Sequence, residues 1–350
     1  MRAAYYEKFN GDIKVGDLPD PKVSDGGVVI EVKANGVCRS DWHGWVGHDN
    51  AIASFPHVPG HECSGTIVGV GKNVTRWRKG DEVIVPFSCG CGACPSCQLG
   101  NEHICDNDFQ PGFTAWGAFA QYLAVDYADV NLVRLPDQLS HVTAASLGCR
   151  FMTAFRGVVN RGGVAPEQWV AIHGCGGVGL SALMIAKAFG ARVIAVDINP
   201  GTLQQAQQLG ADEIVNATGV ESVVEAIMDI TKGGAAISID ALGSPVTAYN
   251  SIACLAKRGR HVQIGLAAGD HRDMKIPMNL VIGRELDIYG SHGMQGHKYG
   301  QMLEMIIGGA LQPEKLIDRT VSLEEGAQIL MDMTHSSPQG VVVIDRFLEE

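Results

Sequence analysis

The sequence Trp169-Val170-Ala171-Ile172-His173-Gly174-Cys175-Gly176-Gly177-Val178-Gly179 joins a short apolar run to the pattern G-x-G-x-x-G. The apolar run predicts a strand, and the residues after the last glycine predict a helix that continues through Ala188. A second apolar run, Arg192 to Val196, predicts the next strand and ends in Asp197. This order of strand, glycine-rich turn, helix, strand and acid is typical of a dinucleotide-binding fold.

The glycine-rich turn is the predicted cofactor site. Glycines let the backbone approach a pyrophosphate at a helix N-terminus, where amide donors and the helix dipole favour negative charge. We expect cofactor contacts from Gly174, Gly176, Gly177, Val178 and Gly179. Asp197 would accept hydrogen bonds from the adenosine ribose hydroxyls and repel a 2′-phosphate. Because no Arg or Lys occurs in Ile198–Thr202, the sequence favours NAD over NADP.

The alternation of strands and helices continues to about residue 289. Further strands are predicted at Glu213–Val215, Ile237–Asp240 and His261–Ile264, with helices near 220–230 and after Pro245. Ile264 and Gly265, at the end of the last of these strands, are also expected to contact the cofactor. The region 151–289 is therefore predicted to form a doubly wound parallel sheet, a Rossmann domain that binds NAD.

The first 150 residues have a different pattern. Short alternating runs such as Val28–Val32 predict a β-rich, partly open, barrel-like domain. Beyond residue 290 we expect a helix at Tyr299–Ile307, a second helix whose capping box pairs Ser322 with Glu325, and a strand at Val341–Ile344. This tail is assigned to the first domain, which gives a domain of residues 1–150 and 290–350 beside the nucleotide fold. A cleft between the two domains would be the natural site of reaction.

Five of the ten cysteines fall between Cys89 and Cys105. Four of them have the spacing C-x2-C-x2-C-x7-C and are Cys91, Cys94, Cys97 and Cys105. Four soft ligands this close together predict a closed, tetrahedral structural zinc site. The alternative is a redox or disulfide cluster, which the expected cytoplasmic compartment disfavours. Cys89 lies off the pattern and is interpreted as a spectator.

A second set of metal ligands is spread along the chain. It comprises Cys38 in the segment Cys38-Arg39-Ser40-Asp41-Trp42-His43, which is predicted to be a loop, and His61 in Gly60-His61-Glu62. The third member is Cys149, in the apolar segment Ala144–Phe155, whose spacing predicts a helix. Each segment alone is weak, because a buried structural cysteine or an ordinary loop histidine is the commoner explanation. Together, two thiolates and one imidazole would hold zinc with its fourth position open for water or substrate, which is the catalytic arrangement. Glu62 would lie just outside the coordination sphere or displace the water transiently.

Composition limits the class of protein. The chain has 350 residues, enough for two domains, with 46% hydrophobic and 19% charged residues. A formal net charge of -11 argues against a nucleic-acid partner, which requires a basic face. No apolar run reaches the length of a membrane span, and the N-terminus lacks the apolar stretch of a secretory signal. We therefore expect a cytoplasmic protein with neither a nucleic-acid nor a membrane partner.

With these motifs, the chain resembles the zinc-dependent medium-chain alcohol dehydrogenase family over essentially its whole length. The resemblance implies a GroES-like catalytic domain and a Rossmann domain, with NAD and two zinc ions per chain. It implies a catalytic zinc on Cys38, His61 and Cys149, with Glu62 as an alternating ligand and Asp41 holding His61. Ser40, the cofactor ribose and His43 would form a proton relay. Arg39 would meet the pyrophosphate, and Phe87, Trp42 and Tyr289 resemble residues of the substrate pocket or the nicotinamide side.

The implied reaction is reversible, NAD-dependent oxidation of a small-molecule alcohol to an aldehyde or ketone, by a homotetramer or homodimer. Alternatives are a polyol or L-threonine dehydrogenase, or an aldehyde or ketone reductase, of the same superfamily. A non-catalytic nucleotide-binding or lens-type structural protein is disfavoured by the three-ligand set with an open position. The chain departs from the family at Thr202 and Val341, where many members carry basic residues. These changes predict that NAD affinity depends more on Arg39 and the helix N-terminus.

Overall fold

The structure is a computed structural model that describes residues 1–336 and 338–348. It divides into two compact units. Unit 1 contains Met1–Met152, Gly293–Gly308 and Pro313–Glu350, and unit 2 contains Thr153–His292 and Gly309–Gln312. The segment Gly309–Gln312, predicted to belong to the first domain, is therefore part of unit 2. The backbone N–H of Gln312 donates to the sulfur of Met184 at 3.4 Å, a long-range contact that no local pattern indicates.

Regular elements alternate along the described residues. The strands are β1 (Arg2–Tyr5), β2 (Lys14–Asp17), β3 (Val28–Val37), β4 (Glu62–Val70), β5 (Glu82–Val85), β6 (Tyr122–Val125), β7 (Val133–Arg134), β8 (Trp169–His173), β9 (Arg192–Asp197), β10 (Glu213–Asn216), β11 (Ala235–Asp240), β12 (Leu255–Gln263), β13 (Asp287–Gly290), β14 (Ile317–Ser322) and β15 (Val341–Arg346). The α-helices are α1 (Arg39–Trp45), α2 (Pro95–Gln98), α3 (Ala128–Asn131), α4 (His141–Ala145), α5 (Met152–Phe155), α6 (Gly177–Ala188), α7 (Pro200–Gln208), α8 (Val223–Thr231), α9 (Pro245–Ala253), α10 (Met278–Arg284), α11 (Tyr299–Ile307) and α12 (Leu323–Asp332). Single 3₁₀ turns occur at Glu102–Ile104, Gly269–His271, Gly296–Lys298 and Pro313–Leu316, and π-helical turns at Leu147–Phe151 and Arg156–Arg161.

Unit 1 is built on a sheet in the order β14-β15-β3-β4-β5-β7, with β6 also paired to β3. The long strand β3 is central because its alternating Val28, Ile30 and Val32 side chains enter the main apolar core of the unit. The C-terminal strand β15 pairs antiparallel with β3, so the tail returns to the first unit. In the β3–β4 ladder Gly36 lies opposite Glu62, so at this position of β3 no side chain stands beside the Glu62 carboxylate.

Unit 2 contains a six-stranded sheet in the order β10-β9-β8-β11-β12-β13. Every neighbouring pair in this sheet is parallel. The order reverses next to β8, and in open parallel sheets ligands bind at such a reversal, outside the carboxyl ends of the strands. The glycine-rich turn predicted from the sequence follows β8 directly and leads into α6. The predicted doubly wound parallel sheet is therefore present.

Two local predictions were wrong. The segment Cys38–His43 was predicted as a loop, but Cys38 is the N-cap of α1 and the other five residues lie in the helix. The Asp41 carboxylate accepts a hydrogen bond from the Cys38 N–H and so stabilises the first turn. The single helix expected over 144–155 is instead α4 and α5 separated by the π-turn Leu147–Phe151. Apolar periodicity does not reveal an extra residue in one turn. Among the described residues, no helix has the length and hydrophobicity needed to cross a bilayer.

Candidate active site and metal centres

Unit 1 brings the separated candidate ligands Cys38, His61 and Cys149 together with Glu62. One donor atom from each of the four lies within 4.8 Å of the other three. Cys38 immediately precedes α1, His61 and Glu62 lie at the start of β4, and Cys149 comes from the π-turn. All four side chains are buried, with His61 only 1% exposed. Two sulfurs, an imidazole nitrogen and a carboxylate in this arrangement are the donor types that zinc takes in proteins.

Asp41 organises this set from outside it. Its Oδ1 accepts hydrogen bonds from His61 Nδ1 at 2.7 Å and from the Gly60 N–H at 3.0 Å. Its Oδ2 accepts from the Cys38 N–H at 3.1 Å. The bond to Nδ1 leaves His61 Nε2 as the donor for a metal, and Nε2 is buried with no hydrogen-bond partner among the described residues. An unpartnered buried nitrogen beside two thiols fits a zinc ligand.

The pKa values of the two cysteines in the set are shifted in opposite directions. A hydrogen bond from Cys149 lowers the pKa of Cys38 well below its usual value, despite burial. The same hydrogen bond, with burial, raises the pKa of Cys149. Because zinc binds thiolates, metal binding would favour loss of the proton from the Cys149 thiol, whose pKa is raised.

Arg150 is a member of the site that sequence reasoning missed. Its backbone N–H and Nε donate to Glu62 Oε1 at 3.1 Å and 2.9 Å, and its Nη2 donates to Oε2. Burial raises the pKa of Glu62, and the guanidinium opposes that rise. An Arg inside an apolar helical segment was the available signal, because a buried guanidinium needs a carboxylate partner. The partner itself lies in a distant strand.

The predicted relay residues lie on α1. Ser40 is in the first turn and half-buried, and His43 Nδ1 lies 3.0 Å from Nδ1 of His48, a contact the sequence did not predict. The Trp42 ring packs edge-on against both imidazoles. Burial, followed by the charges of His48 and Arg39, lowers the pKa of His43 to about 4. His43 is therefore a neutral imidazole near neutral pH, able to accept a proton.

The second metal centre contains the four cysteines of the predicted structural site. One sulfur from each of Cys91, Cys94, Cys97 and Cys105 lies within 4.8 Å of the others, and none of the ten cysteines is in a disulfide. Backbone N–H groups of Ala93 and Cys94 donate to the Cys91 sulfur and lower the pKa of its thiol to about 6. Cys89 is outside the group, and its thiol donates to the Pro86 carbonyl. The donor set fits a closed zinc site.

In unit 2 the glycine-rich turn has the shape that a pyrophosphate site requires. Gly174 has φ of +88°, and a Cβ on Gly179 would lie 1.9 Å from the Gly174 carbonyl oxygen, so both positions need glycine for the turn itself. A Cβ on Gly176, the N-cap of α6, would meet no atom within 4 Å. Protein packing therefore does not explain this glycine, whereas close approach of a phosphate to the helix N-terminus does. Gly177 and Val178 form the first turn of α6.

Asp197, the predicted ribose acceptor, ends β9 beside that turn. Its Oδ2 accepts a hydrogen bond from the Cys175 N–H at 2.7 Å, and its Oδ1 accepts from the Asn199 N–H at 2.9 Å. The first bond joins the acid to the glycine-rich turn, and the second joins it to the residue that caps α7. At the end of β12, the N–H groups of Ile264 and Gly265 both donate to the Asp240 carbonyl oxygen, at 3.0 Å and 2.8 Å.

The remaining predicted residues are more dispersed. The Arg39 guanidinium lies 4.0 Å from the centroid of the Trp42 ring and donates to the Met333 carbonyl oxygen. Phe87 packs edge-on against His61. Phe113, which was not predicted, packs against the same imidazole at a tilted angle. The ring of Tyr289, in β13 of unit 2, lies under the Arg161 guanidinium. The departures from the family pattern lie at Thr202 in α7 and at Val341, which is buried in β15.

Comparison with known proteins identifies the family. The model of the alcohol dehydrogenase GroES-like domain matches residues 24–137, and that of the zinc-binding dehydrogenase domain matches residues 177–308. An NAD-dependent alcohol dehydrogenase of Sulfurisphaera tokodaii is 32% identical, with 98% of this chain and 99% of that protein covered. The chain belongs to the zinc-dependent medium-chain alcohol dehydrogenases.

Other relatives of this alcohol dehydrogenase family differ in their named substrates. An alcohol dehydrogenase of Geobacillus stearothermophilus is 39% identical over 219 residues, a match that spans 62% of this chain and 64% of that protein. A sorbitol dehydrogenase of Bacillus subtilis is 32% identical, with 93% of this chain and 91% of that protein covered. The solved structure of an alcohol dehydrogenase from Thermus sp. ATN1 superposes with a TM-score of 0.90 at 27% identity, covering 99% of this chain and 100% of that one.

Membership confirms the predicted fold class, a GroES-like domain joined to a Rossmann domain. It also confirms the cofactors, zinc and NAD, because zinc-binding dehydrogenase domains match a chain that presents one four-cysteine set and one set of two cysteines, histidine and glutamate. The chain is therefore an alcohol-oxidising oxidoreductase of this family.

Proposed function

We propose that the protein catalyses reversible, NAD-dependent oxidation of primary or secondary alcohols to aldehydes or ketones. The observation that carries the proposal is the set Cys38, His61 and Cys149, in which the buried His61 Nε2 has no partner among the described residues. Three protein donors with a fourth position open are the arrangement of catalytic rather than structural zinc. When bound, zinc would act as a Lewis acid on the alcohol or carbonyl oxygen, and NAD would carry the hydride.

The residues of unit 1 have distinct roles in this proposal. Cys38, His61 and Cys149 bind the metal, while Asp41 fixes the ring nitrogen that His61 presents to it. Phe87 and Phe113 pack on the His61 ring and reduce the access of water to this side of the site.

Oxidation of an alcohol releases one proton besides the hydride. Ser40 would accept that proton while its own passes through the cofactor ribose to His43. The contact of 3.0 Å between the Nδ1 atoms of His43 and His48 supports a continuation of this path, because a proton taken up at His43 Nε2 leaves from Nδ1. His48 would then pass it to solvent.

Cofactor binding is assigned to unit 2, with help from Arg39. The backbone around Gly176 and the N-terminus of α6 would hold the pyrophosphate, and Asp197 would accept the adenosine ribose hydroxyls. The absence of Arg and Lys from Ile198–Thr202 supports NAD over NADP. Arg39 would have to exchange its contact with the Met333 carbonyl for one with the pyrophosphate.

A polyol dehydrogenase is the second candidate, favoured by the similarity to a sorbitol dehydrogenase. The decisive experiment measures the zinc content of the purified protein and its reduction of NAD with ethanol, longer primary alcohols, secondary alcohols, sorbitol and L-threonine, and the reverse reduction of aldehydes. Two zinc ions per chain and the highest kcat/KM with a simple alcohol support the proposal. A higher kcat/KM with sorbitol or L-threonine would assign the protein to the second class, and absence of turnover with every substrate would contradict both.

The protein is further proposed to act as a homodimer or homotetramer. Apolar side chains are exposed just before α10, in α10 and in the edge strand β13: Ile276, Met278, Ile282 and Ile288. Among the described residues β13 is paired on one side only, and an unpaired strand edge together with exposed apolar side chains favours association with a second copy. Sedimentation equilibrium supports this proposal if the mass is two or four times that of one chain, and a monomer contradicts it. The cytoplasmic location stays a prediction.

A further inference from the structure

Arg150 places a permanent positive charge beside the proposed catalytic metal. It follows Cys149 in the chain and is 8% exposed, while its partner Glu62 is fully buried. The two oxygens of Glu62 receive three hydrogen bonds from this one residue, from its backbone N–H, Nε and Nη2. A bidentate guanidinium fixes the plane of a carboxylate as well as its position. The orientation of Glu62 is therefore set by Arg150.

Gly36, on the neighbouring strand β3, leaves room for the ion pair of Glu62 and Arg150 because it has no side chain. A Cβ on Gly36 would lie 2.2 Å from Glu62 Oε2 and 2.9 Å from Arg150 Nη2. Gly36 lies opposite Glu62 in the β3–β4 ladder, so any side chain there would enter the space of the ion pair. The ion pair of Glu62 and Arg150 thus fills the space that a side chain at position 36 would take.

Charge explains why such a pair lies at this site. The two positive charges of zinc balance the thiolates of Cys38 and Cys149, and the buried Glu62 carboxylate then has no counter-charge from the metal. Arg150 supplies that counter-charge. Without it, an oxygen of Glu62 within 4.8 Å of the other donor atoms would be drawn to the ion, since zinc accepts carboxylate ligands.

We propose that Arg150 is a positioning residue that holds Glu62 outside the coordination sphere and so keeps the fourth position of the metal open for substrate. The inference rests on the proposed function, because it takes Cys38, His61 and Cys149 to hold the metal. It assigns no chemical step to Arg150. It changes the expected behaviour of Glu62, from a ligand that alternates freely to one that binds only when it leaves Arg150.

The test uses Co²⁺, whose visible d–d absorption responds to the number of ligands. The metal-free full-length protein is titrated with Co²⁺ as wild type, Arg150→Gln, Glu62→Gln and the double variant. Absorption from the four-cysteine site is common to all four proteins and cancels in difference spectra. We expect the wild type and Glu62→Gln to have the same spectrum, Arg150→Gln to show the weaker bands of a higher coordination number, and the double variant to return to the wild-type spectrum.

Release of the metal provides a second measurement. In Arg150→Gln the freed carboxylate adds a ligand, so we expect Co²⁺ to pass to a chelator more slowly than from the wild type, with wild-type release in the double variant. If Arg150→Gln does not fold, Arg150→Lys replaces it. Lysine keeps the charge but not the fork of donors, and a smaller change of the same sign is expected.

The outcomes separate the inference from the function on which it rests. Two Co²⁺ ions per chain with a wild-type spectrum in Arg150→Gln, or in Arg150→Lys where the first does not fold, overturn the inference alone. A spectral change that persists in the double variant also overturns it, because Glu62 would not be its cause. Binding of only one ion per chain, at the four cysteines, overturns the proposed function and the inference together.

Discussion

The Asp41 carboxylate and the His61 imidazole form a buried hydrogen bond of 2.7 Å that selects the ring nitrogen facing the metal site. The same carboxylate accepts the N–H groups of Cys38 and Gly60. One side chain therefore sets the position of two proposed ligands that are distant in sequence. Its removal is expected to affect metal binding more than stability.

For Asp41→Asn we expect metal affinity at the three-ligand site to fall about 10- to 100-fold, the usual effect of losing a partner that orients a metal-binding histidine. The amide can donate to Nδ1, which favours the wrong tautomer of His61. Competition with a chelator measures the affinity. Asp137→Asn, on the exposed surface, is the matched control and should bind as the wild type does. Equal affinities in both variants would contradict the role of Asp41.

The cysteine spacing predicts different results for two neighbouring cysteines. Cys97→Ser should lose one of two zinc ions per chain and make the region 91–105 sensitive to proteases, because the closed site holds that segment together. Cys89→Ser should retain both ions, since Cys89 lies outside the four-cysteine group and its thiol donates to the Pro86 carbonyl. Elemental analysis checks both, and loss of zinc from the Cys89 variant would contradict the assignment.

Asp197 is expected to set the choice between NAD and NADP. Asp197→Asn keeps an acceptor for the Cys175 N–H but removes the charge that would repel a 2′-phosphate. We expect the ratio of Kd for NADP to Kd for NAD to fall about 10- to 100-fold, the scale of hydrogen bonds to a charged group. Quenching of protein fluorescence measures both constants. Asp229→Asn, exposed on α8, should leave the ratio unchanged.

The relay predicts graded effects on turnover. Ser40→Ala should lower kcat by about 10²-fold, a typical loss of proton-transfer catalysis, with both zinc ions still bound. His43→Gln should lower kcat less, because water can replace the imidazole, and added imidazole buffer should restore part of it. His48→Gln should also lower kcat, by less than His43→Gln does, and imidazole buffer should again restore part of it. Unchanged turnover in Ser40→Ala would remove the hydroxyl from the mechanism.

Acid stability should depend on His173 in unit 2. Burial, and then the charge of His261, lower the pKa of His173 from an ordinary 6.5 to about 3. Its Nε2 lies near the Cys254 sulfur, and the pKa of His261 is also lowered, chiefly by burial. Between pH 6.5 and pH 3 the imidazole is protonated in the unfolded chain but neutral in the folded protein. The stability that neutral His173 contributes is therefore complete above pH 6.5 and is lost as the pH falls toward 3.

The free energy of unfolding should therefore decrease by at most about 1.4 kcal/mol per pH unit from this residue. His173→Gln should flatten that dependence, and His335→Gln, on the surface, should not. Urea unfolding at about pH 7 and about pH 5 measures the difference between each variant and the wild type. An identical pH dependence in wild type and His173→Gln would refute the prediction.

Local signals in the sequence predicted much of the fold. The helix Tyr299–Ile307 and the strand Trp169–His173 have the predicted bounds because apolar spacing and turn residues mark both ends. The capping box of Ser322 and Glu325 is also present, since its hydrogen bonds join residues three apart. In the metal sets, residue types with strong ligand preferences occur at recognisable spacings, so Cys91–Cys105 required no tertiary information.

Long-range contacts explain the omissions. Arg150 reaches Glu62 across 88 positions of sequence, and neither neighbourhood indicates the other. His48 contacts His43 because α1 ends in a turn, whereas Cys38–His43 was predicted as a loop. Phe113 packs on His61 from a loop with no periodic pattern. Such contacts depend on how β3, β4 and α1 are brought together by the apolar core, which local periodicity does not describe.

Because of the π-turn Leu147–Phe151, the proposed metal centre depends on the residue register of one helical segment. Consecutive residues of an ordinary α-helix diverge by about 100° around its axis, yet Cys149 and Arg150 both serve the same small site. The widened turn accommodates one extra residue, and such insertions recur at functional sites. Deletion of a single residue here would rewind the segment and turn the thiol away from its companions. A descendant carrying that deletion would keep every ligand in its sequence and still lose the metal.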